Sequence, residues 1–147
     1  DRDNDTIAPA GWKLDAFLKN PSILFGHDYS SLPIARALSV TQTGSGLKSV
    51  AEFPPKGTYA FADTVYEMVK AGFLNATSVG FRPLKWVFNE ERRGFDFTEQ
   101  ELLEFSIVPV PANADVSIEV SASNSKNTFK KTLRLESGEK RTLDVAF

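Results

Sequence analysis

The chain holds a single histidine, His27, and a carboxylate stands beside it, Asp28. Imidazole exchanges protons near neutral pH, with an unperturbed pKa of roughly 6.5. Acid–base chemistry that needs an imidazole therefore has one position to come from. The residues ahead of it, Asn20-Pro21-Ser22-Ile23-Leu24-Phe25-Gly26, set three apolar side chains between Pro and Gly. That pattern reads as a short buried strand with the imidazole at its end. A structural histidine at a strand end is the plain alternative. The second group of interest is the hydroxyl of Ser78, followed by Val79-Gly80, because a small residue beside a serine leaves room for an acyl group. The stretch is not the G-x-S-x-G elbow of α/β-hydrolases, since position 76 is Ala and a helix precedes it. An ordinary strand serine is the alternative here.

Other chemistries are excluded by composition. The chain has no Cys, which removes disulfides, thiolate zinc sites and cysteine nucleophiles. One His rules out a multi-histidine metal site, and no cofactor is implied. Asp1, Asp3 and Asp5 alternate like the first ligands of an EF-hand, but positions six and twelve are Thr6 and Trp12 where that loop needs Gly and Glu. A polar turn is expected there instead. No apolar run approaches the ~18 residues of a membrane span. No signal peptide opens the chain, and an intracellular setting with no membrane partner is expected. The abrupt charged start leaves room for an earlier strand ahead of Asp1.

At 147 residues, 41% hydrophobic and 24% charged, the sequence has the mass for one core, and 12 Phe against one Met make that core aromatic and rigid. Residues 1–120 carry 11 Lys+Arg against 16 Asp+Glu, whereas 121–147 carry 6 against 3. An acidic body argues against a nucleic-acid partner. The basic tail, with Lys126, Lys130, Lys131 and Arg134, reads as a solvated face or a contact for something acidic.

The elements that must position His27 and Ser78 follow from local pattern. Residues 14–19 fit a short helix that stops before Pro21. Residues 34–41 and 47–53 read as a hairpin across Thr43-Gly44-Ser45-Gly46. Phe61, Val65, Met68, Val69 and Gly72 share one helical face, and Gly72 suits the helix end. Residues 74–83 form a strand that Pro83 should terminate, and 84–88 and 95–97 read as two strands across a charged turn. Leu103, Phe105 and Ile107 alternate with Glu104, Ser106 and Val108, which places Glu104 on the face opposite the large apolar groups. Residues 121–127 are the expected linker. The pattern of Leu133 and Leu135, then Ser137-Gly138, then Leu143, Val145 and Phe147 is a second hairpin.

Three segments taken together are distinctive: Asn20-Pro21 through His27-Asp28, then Ser78-Val79-Gly80-Phe81, then Leu102-Leu103-Glu104-Phe105-Ser106-Ile107-Val108-Pro109-Val110-Pro111-Ala112-Asn113. In this order and at these separations, with Asp1-Arg2-Asp3-Asn4-Asp5 and Gly11-Trp12 ahead of them, the chain resembles the prohead maturation proteases of tailed bacteriophages over about residues 1–116. The family is regarded as related to the herpesvirus capsid-maturation proteases. The resemblance implies an α+β, mainly β fold: a small herpesvirus-protease-like barrel flanked by a few helices. It implies a protease domain over residues 1–120, with 121–147 as a basic tail. It makes Ser78 the nucleophile and His27 the general base of a serine endopeptidase. The herpesvirus enzymes use a second histidine as third member. Here Glu104, in the matching segment, takes that role by position, with Asp28 as competitor. The turn at Ala112 and Asn113 is the expected source of oxyanion N–H groups. The implied substrate is the scaffolding part of the capsid protein, cut inside the assembling prohead in the host cytoplasm. Self-cleavage is also implied, and related viral proteases that gain activity on dimerising leave room for a homo-oligomer. A non-catalytic capsid-assembly or scaffold module on the same fold is the alternative, and a β-rich binding module with coincidental motifs is a third.

Overall fold

The computed structural model describes residues 4–112, 118–119 and 141–146. Its strands are β1 Thr6–Ile7, β2 Trp12–Lys13, β3 Ser22–Phe25, β4 Ala35–Thr43, β5 Gly46–Phe53, β6 Ala76–Asn89, β7 Gly94–Val108, β8 Ile118–Glu119 and β9 Arg141–Ala146, and its helix is α1 Ala60–Lys70. The class is α+β and mainly β. Among the described residues there is one α-helix where the resemblance implied several. The expected helix before Pro21 shrinks to a 3-10 turn at Phe17–Lys19.

The long strand β7 is the frame. One edge receives β1, β2 and β3 in succession, all parallel to it, and the other edge receives β6, antiparallel. From β3 the sheet continues through β4, β5, β9 and β8. Its two ends are bridged by the Ile118 amide, which donates to the Asn75 carbonyl (3.0 Å), and by the Thr77 hydroxyl, which donates to the Ala146 carbonyl (2.8 Å). No strand ladder closes the sheet among the described residues, so the closed barrel implied by the resemblance is not formed as a ladder. The core lies on the face that carries Ile23, Leu47, Leu102, Phe105, Ile107 and Leu143, each at most 2% exposed. Phe17 and Trp12 cover that face from the side.

The sequence pattern and the structure differ at three places, each for a local reason. Pro83 does not end β6; the strand passes through it, with register shifts on either side of Lys85. β6 pairs only with β7, and an edge strand tolerates a proline that cannot donate to a ladder. Leu103 does not join Phe105 and Ile107 in the core, because the register slips between Gly80 and Phe81 and leaves it as the extra residue of a bulge, 47% exposed. In α1 the buried residues are Ala62, Val65 and Val69, while Phe61 and Met68 flank that face and stay partly exposed. Gly72, at φ 80°, ends the helix as expected. Its amide donates to the Val69 carbonyl, and the next amide, of Phe73, donates to the Met68 carbonyl.

The 4–5 hairpin forms with Thr43 opposite Gly46. Of the second expected hairpin, Leu133 and Leu135 and the 121–127 linker lie outside the described residues. Its other half is β9, which pairs along its whole length with Lys48–Phe53 of β5 and buries Leu143 and Val145 in the common core. Arg141 fixes β9 to the helix. Its guanidinium donates to the Pro54 carbonyl (3.1 Å) and to Asp63, and lies 4.2 Å from the Tyr66 ring. The Gly57 amide, and after it Arg141, hold the Asp63 carboxyl below its usual range. A carboxylate favoured in the fold stabilises above its unfolded pKa, and that contribution is lost as pH falls through the lower folded value. Asp63→Asn is expected to lower Tm at pH 7 and to lessen the further fall in Tm between pH 5 and pH 3, measured by circular dichroism. An unchanged acid limb would contradict this.

Candidate active site

The parallel register of β3 on β7 sets Ile23 opposite Phe105, Leu24 opposite Ser106 and Phe25 opposite Ile107. An extended continuation would carry His27 past the end of β7. The chain instead turns back on itself. Gly26 (φ 62°) and His27 (φ 60°) are both left-handed, and the Asp28 amide closes the turn on the Phe25 carbonyl at 3.2 Å. Left-handed backbone suits Gly26. At His27 it costs about 1–2 kcal/mol, a strain of the kind that collects at functional positions. The Gly26 amide donates to the Ile107 carbonyl, and the His27 amide donates to the Ser106 hydroxyl, both at 3.0 Å. A Cβ at Gly26 would meet nothing within 4 Å, so the objection to a side chain there is its φ alone. Gly26→Ala should therefore cost about 1–2 kcal/mol of stability and displace the imidazole. A chemical-denaturation midpoint equal to the parent's would refute it.

This turn aims the imidazole at β7. His27 Nδ1 lies 2.7 Å from Glu104 Oε1, and the Glu104 side chain is 3% exposed against 38% for His27. Its other oxygen, Oε2, accepts the Ser106 hydroxyl at 2.8 Å. The Tyr29 hydroxyl lies near this carboxylate, both against the position that a Cβ at Gly80 would take. A carboxylate withdrawn from water is costly unless its lone pairs are matched by donors, and His27 and Ser106 supply two here. An ionised carboxylate only accepts, so the neutral tautomer that fits this contact carries its proton on Nδ1 and keeps the lone pair on Nε2.

Ser78 is placed by β6. It pairs with Ser106 across the ladder, and Gly80, two residues on, pairs with Glu104. Directly opposed residues share a face, with Cβ atoms about 5 Å apart. Ser78, Gly80, Glu104 and Ser106 thus lie on one face of the β6–β7 pair, while Phe105 and Ile107 point to the core on the other. Ser78 is half-buried, and among the described residues its hydroxyl makes no hydrogen bond, with His27 or with any other group.

The remaining expected residues are placed as follows. Asp28 does not touch His27. Its carboxylate accepts the Ser30 hydroxyl (2.6 Å), the Ser31 hydroxyl (2.5 Å) and the Ser30 amide (2.9 Å), and those bonds, Ser30 first, pull its pKa down to about 2. Ala112 is an exposed bend residue after β7, and Asn113 lies outside the described residues. Residue types alone give no reason to single out Tyr29, and they mark Gly80 only as a small neighbour of Ser78 and Gly26 only as a strand end. Ser106 was legible in principle, since a period of two puts it on the Glu104 face. A cleft of ≈ 420 Å³ opens beside the same turn, lined by Phe25, Gly26, Leu32, Ile34, Tyr59 and Phe61 among others. Among the described residues there is no cluster of three or more His, Asp or Glu that could hold a metal ion, and no helix is long and apolar enough to cross a membrane.

An imidazole oriented by a buried carboxylate, with a serine on the same sheet face, is the layout of a serine hydrolase. Comparison with known proteins agrees. The chain is 34% identical over 133 residues to the prohead protease of Escherichia phage T5, a match that covers 88% of this chain and 61% of that relative's length. No solved structure matches. Residues 3–131 match the caudovirus prohead serine protease family, and the chain belongs to that family.

Proposed function

We propose that this chain is the catalytic part of a serine endopeptidase that cuts the scaffolding segment of the phage capsid protein, and itself, inside the assembling prohead in the host cytoplasm. Ser78 is the nucleophile, His27 the general base and Glu104 the orienting acid. The observation that carries the reading is the 2.7 Å contact between His27 Nδ1 and the buried Glu104, on the face that Ser78 shares.

The chemistry follows from the placement. His27 Nε2 takes the Ser78 proton as Oγ attacks the scissile carbonyl, and the imidazolium then protonates the leaving amine. Water, deprotonated by the same nitrogen, releases the acyl group and restores Ser78. Glu104 stays ionised throughout, fixes the ring tautomer and stabilises the transient positive charge. Oxyanion donors are assigned to the backbone of the Ala112-Asn113 turn. The substrate chain lies along the cleft beside Gly26 and His27. Kinship with the herpesvirus capsid proteases is part of the same proposal, with residues 1–120 as the protease unit. The test is cleavage of a co-expressed capsid precursor by the parent chain and by Ser78→Ala. Full cleavage by the variant would remove Ser78 from the role of nucleophile, whereas a parent chain that binds capsid protein without cutting it would be a non-catalytic assembly module.

A further inference from the structure

The Glu104 carboxylate sits where β6 has no side chain. An added Cβ at Gly80 would overlap Glu104 Oε1, and would lie 2.8 Å from the Tyr29 hydroxyl and 3.1 Å from Glu104 Cδ. Gly80 is the cross-strand partner of Glu104, so its bare Cα defines the floor on which the carboxylate lies. The φ of Gly80 is not in the left-handed region, and the position does not require glycine for its backbone. What it requires is space. Tyr29, a residue 68% exposed, brings its hydroxyl to this same point over Gly80, beside the Glu104 carboxylate. Tyr29 contributes nothing to the hydrophobic core, so its packing gives no reason for the residue to be there.

We propose that Tyr29 and Gly80 are positioning residues that together form the seat of Glu104, one supplying a donor and the other the space, and that through Glu104 they orient His27. This rests on the catalytic reading above. With Ser106 on Oε2 and His27 on Oε1, the Tyr29 hydroxyl completes the set of donors. Remove it and the carboxylate keeps its charge but loses one of the contacts that fix its plane. Fill the space at Gly80 and the carboxylate must leave its place, taking the imidazole with it. Burial, and after it the charge and hydrogen bond of Glu104, raise the Tyr29 hydroxyl above its ordinary pKa of 10.0, so it stays a donor at every working pH.

The experiment uses the full chain with a capsid-derived peptide substrate, together with nitrogen-edited NMR of the imidazole. With one histidine in the chain, every ring signal belongs to His27. Tyr29→Phe is expected to lower kcat about tenfold with KM within about twofold, since a bond to a charged group is lost and no substrate contact is. Gly80→Ala is expected to lower kcat about a hundredfold, the usual result of a displacement near 1 Å at a reacting group. Both should shift the His27 Nδ1 signal. The double variant should be no worse than Gly80→Ala alone, because the two act through one carboxylate. Parental kcat and an unmoved His27 signal in Tyr29→Phe would overturn the proposal even if Gly80→Ala failed to fold. A rise in KM with kcat unchanged would overturn it too, by making Tyr29 a substrate contact. If Ser78→Ala still cleaves, the nucleophile assignment fails, yet the NMR shift decides the seat independently.

Discussion

Ser78→Ala will stop cleavage of a co-expressed capsid precursor and leave the fold in place. The expected loss in rate is about 10⁴–10⁶-fold, the range for removing the nucleophile from a serine–histidine–acid set. The fold should survive because the Ser78 hydroxyl is half-buried and makes no hydrogen bond among the described residues, so its removal strands no partner. Tm should stay within about 3 °C of the parent, as for other substitutions outside the core. The contrast with Ser106 sharpens the assignment. Ser106 is completely buried, accepts the His27 amide and donates to Glu104. Its replacement by Ala should lower stability as well as rate, because a buried acceptor and donor are lost together. A serine-directed phosphonate should label Ser78 and leave Ser106 untouched. Labelling of Ser106, or full cleavage by Ser78→Ala, would show that the nucleophile is misassigned.

Much of the frame was legible because short-range rules decide it. Gly46, at φ 144°, closes the turn between β4 and β5, and Gly72 ends α1, since both sites need backbone that other residues adopt reluctantly. The rules misled where tertiary context overrode them. Pro83 reads as a strand end, yet it lies on an edge whose amide needs no partner. Leu103 fits a period of two that is broken one residue away, and no pattern in β7 itself announces the bulge. Phe61 and Met68 are apolar and correctly spaced, but α1 meets the sheet through smaller side chains, Ala62, Val65 and Val69. Exposed Phe61 instead packs edge-on against Phe25, 5.3 Å between ring centres, at the cleft beside the site.

The candidate site divides in the same way. His27 stood out by exclusion, being the one imidazole, and Glu104 by its place in a matched segment. What brings them together is not local: a strand register, then a turn with two left-handed residues that sends the chain back toward β7. Tyr29 gave no signal at all, and Gly80 drew notice only as a small neighbour of Ser78, not as a partner of Glu104. A tyrosine in a polar loop and a glycine in a strand acquire meaning only when a carboxylate from a third segment is laid between them.

Glu104→Gln separates the two acids that the sequence left in competition. Gln keeps the shape of Glu, and its carbonyl can still accept His27 Nδ1–H. Its amide can face Ser106, whose hydroxyl oxygen has a lone pair to spare. Orientation is then largely preserved and the negative charge is what disappears. That charge balances the imidazolium formed in the transition state, in a place 3% exposed to solvent where screening is weak. The expected loss in kcat is about 10³–10⁴-fold, by analogy with the carboxylate-to-amide change in other serine proteases, with KM little altered. Asp28→Asn should cost no more than a few-fold. The Asp28 carboxylate is occupied by Ser30 and Ser31, and with its pKa near 2 it is already ionised wherever the enzyme works. Its effect is on the loop: the stability it lends is present above the unfolded pKa and disappears only as pH falls toward 2. Kinetics of the two variants on one peptide substrate decide the matter. A few-fold loss in Glu104→Gln beside an inactive Asp28→Asn would mean that the buried carboxylate is structural, and that the loop must rearrange to bring Asp28 onto the imidazole.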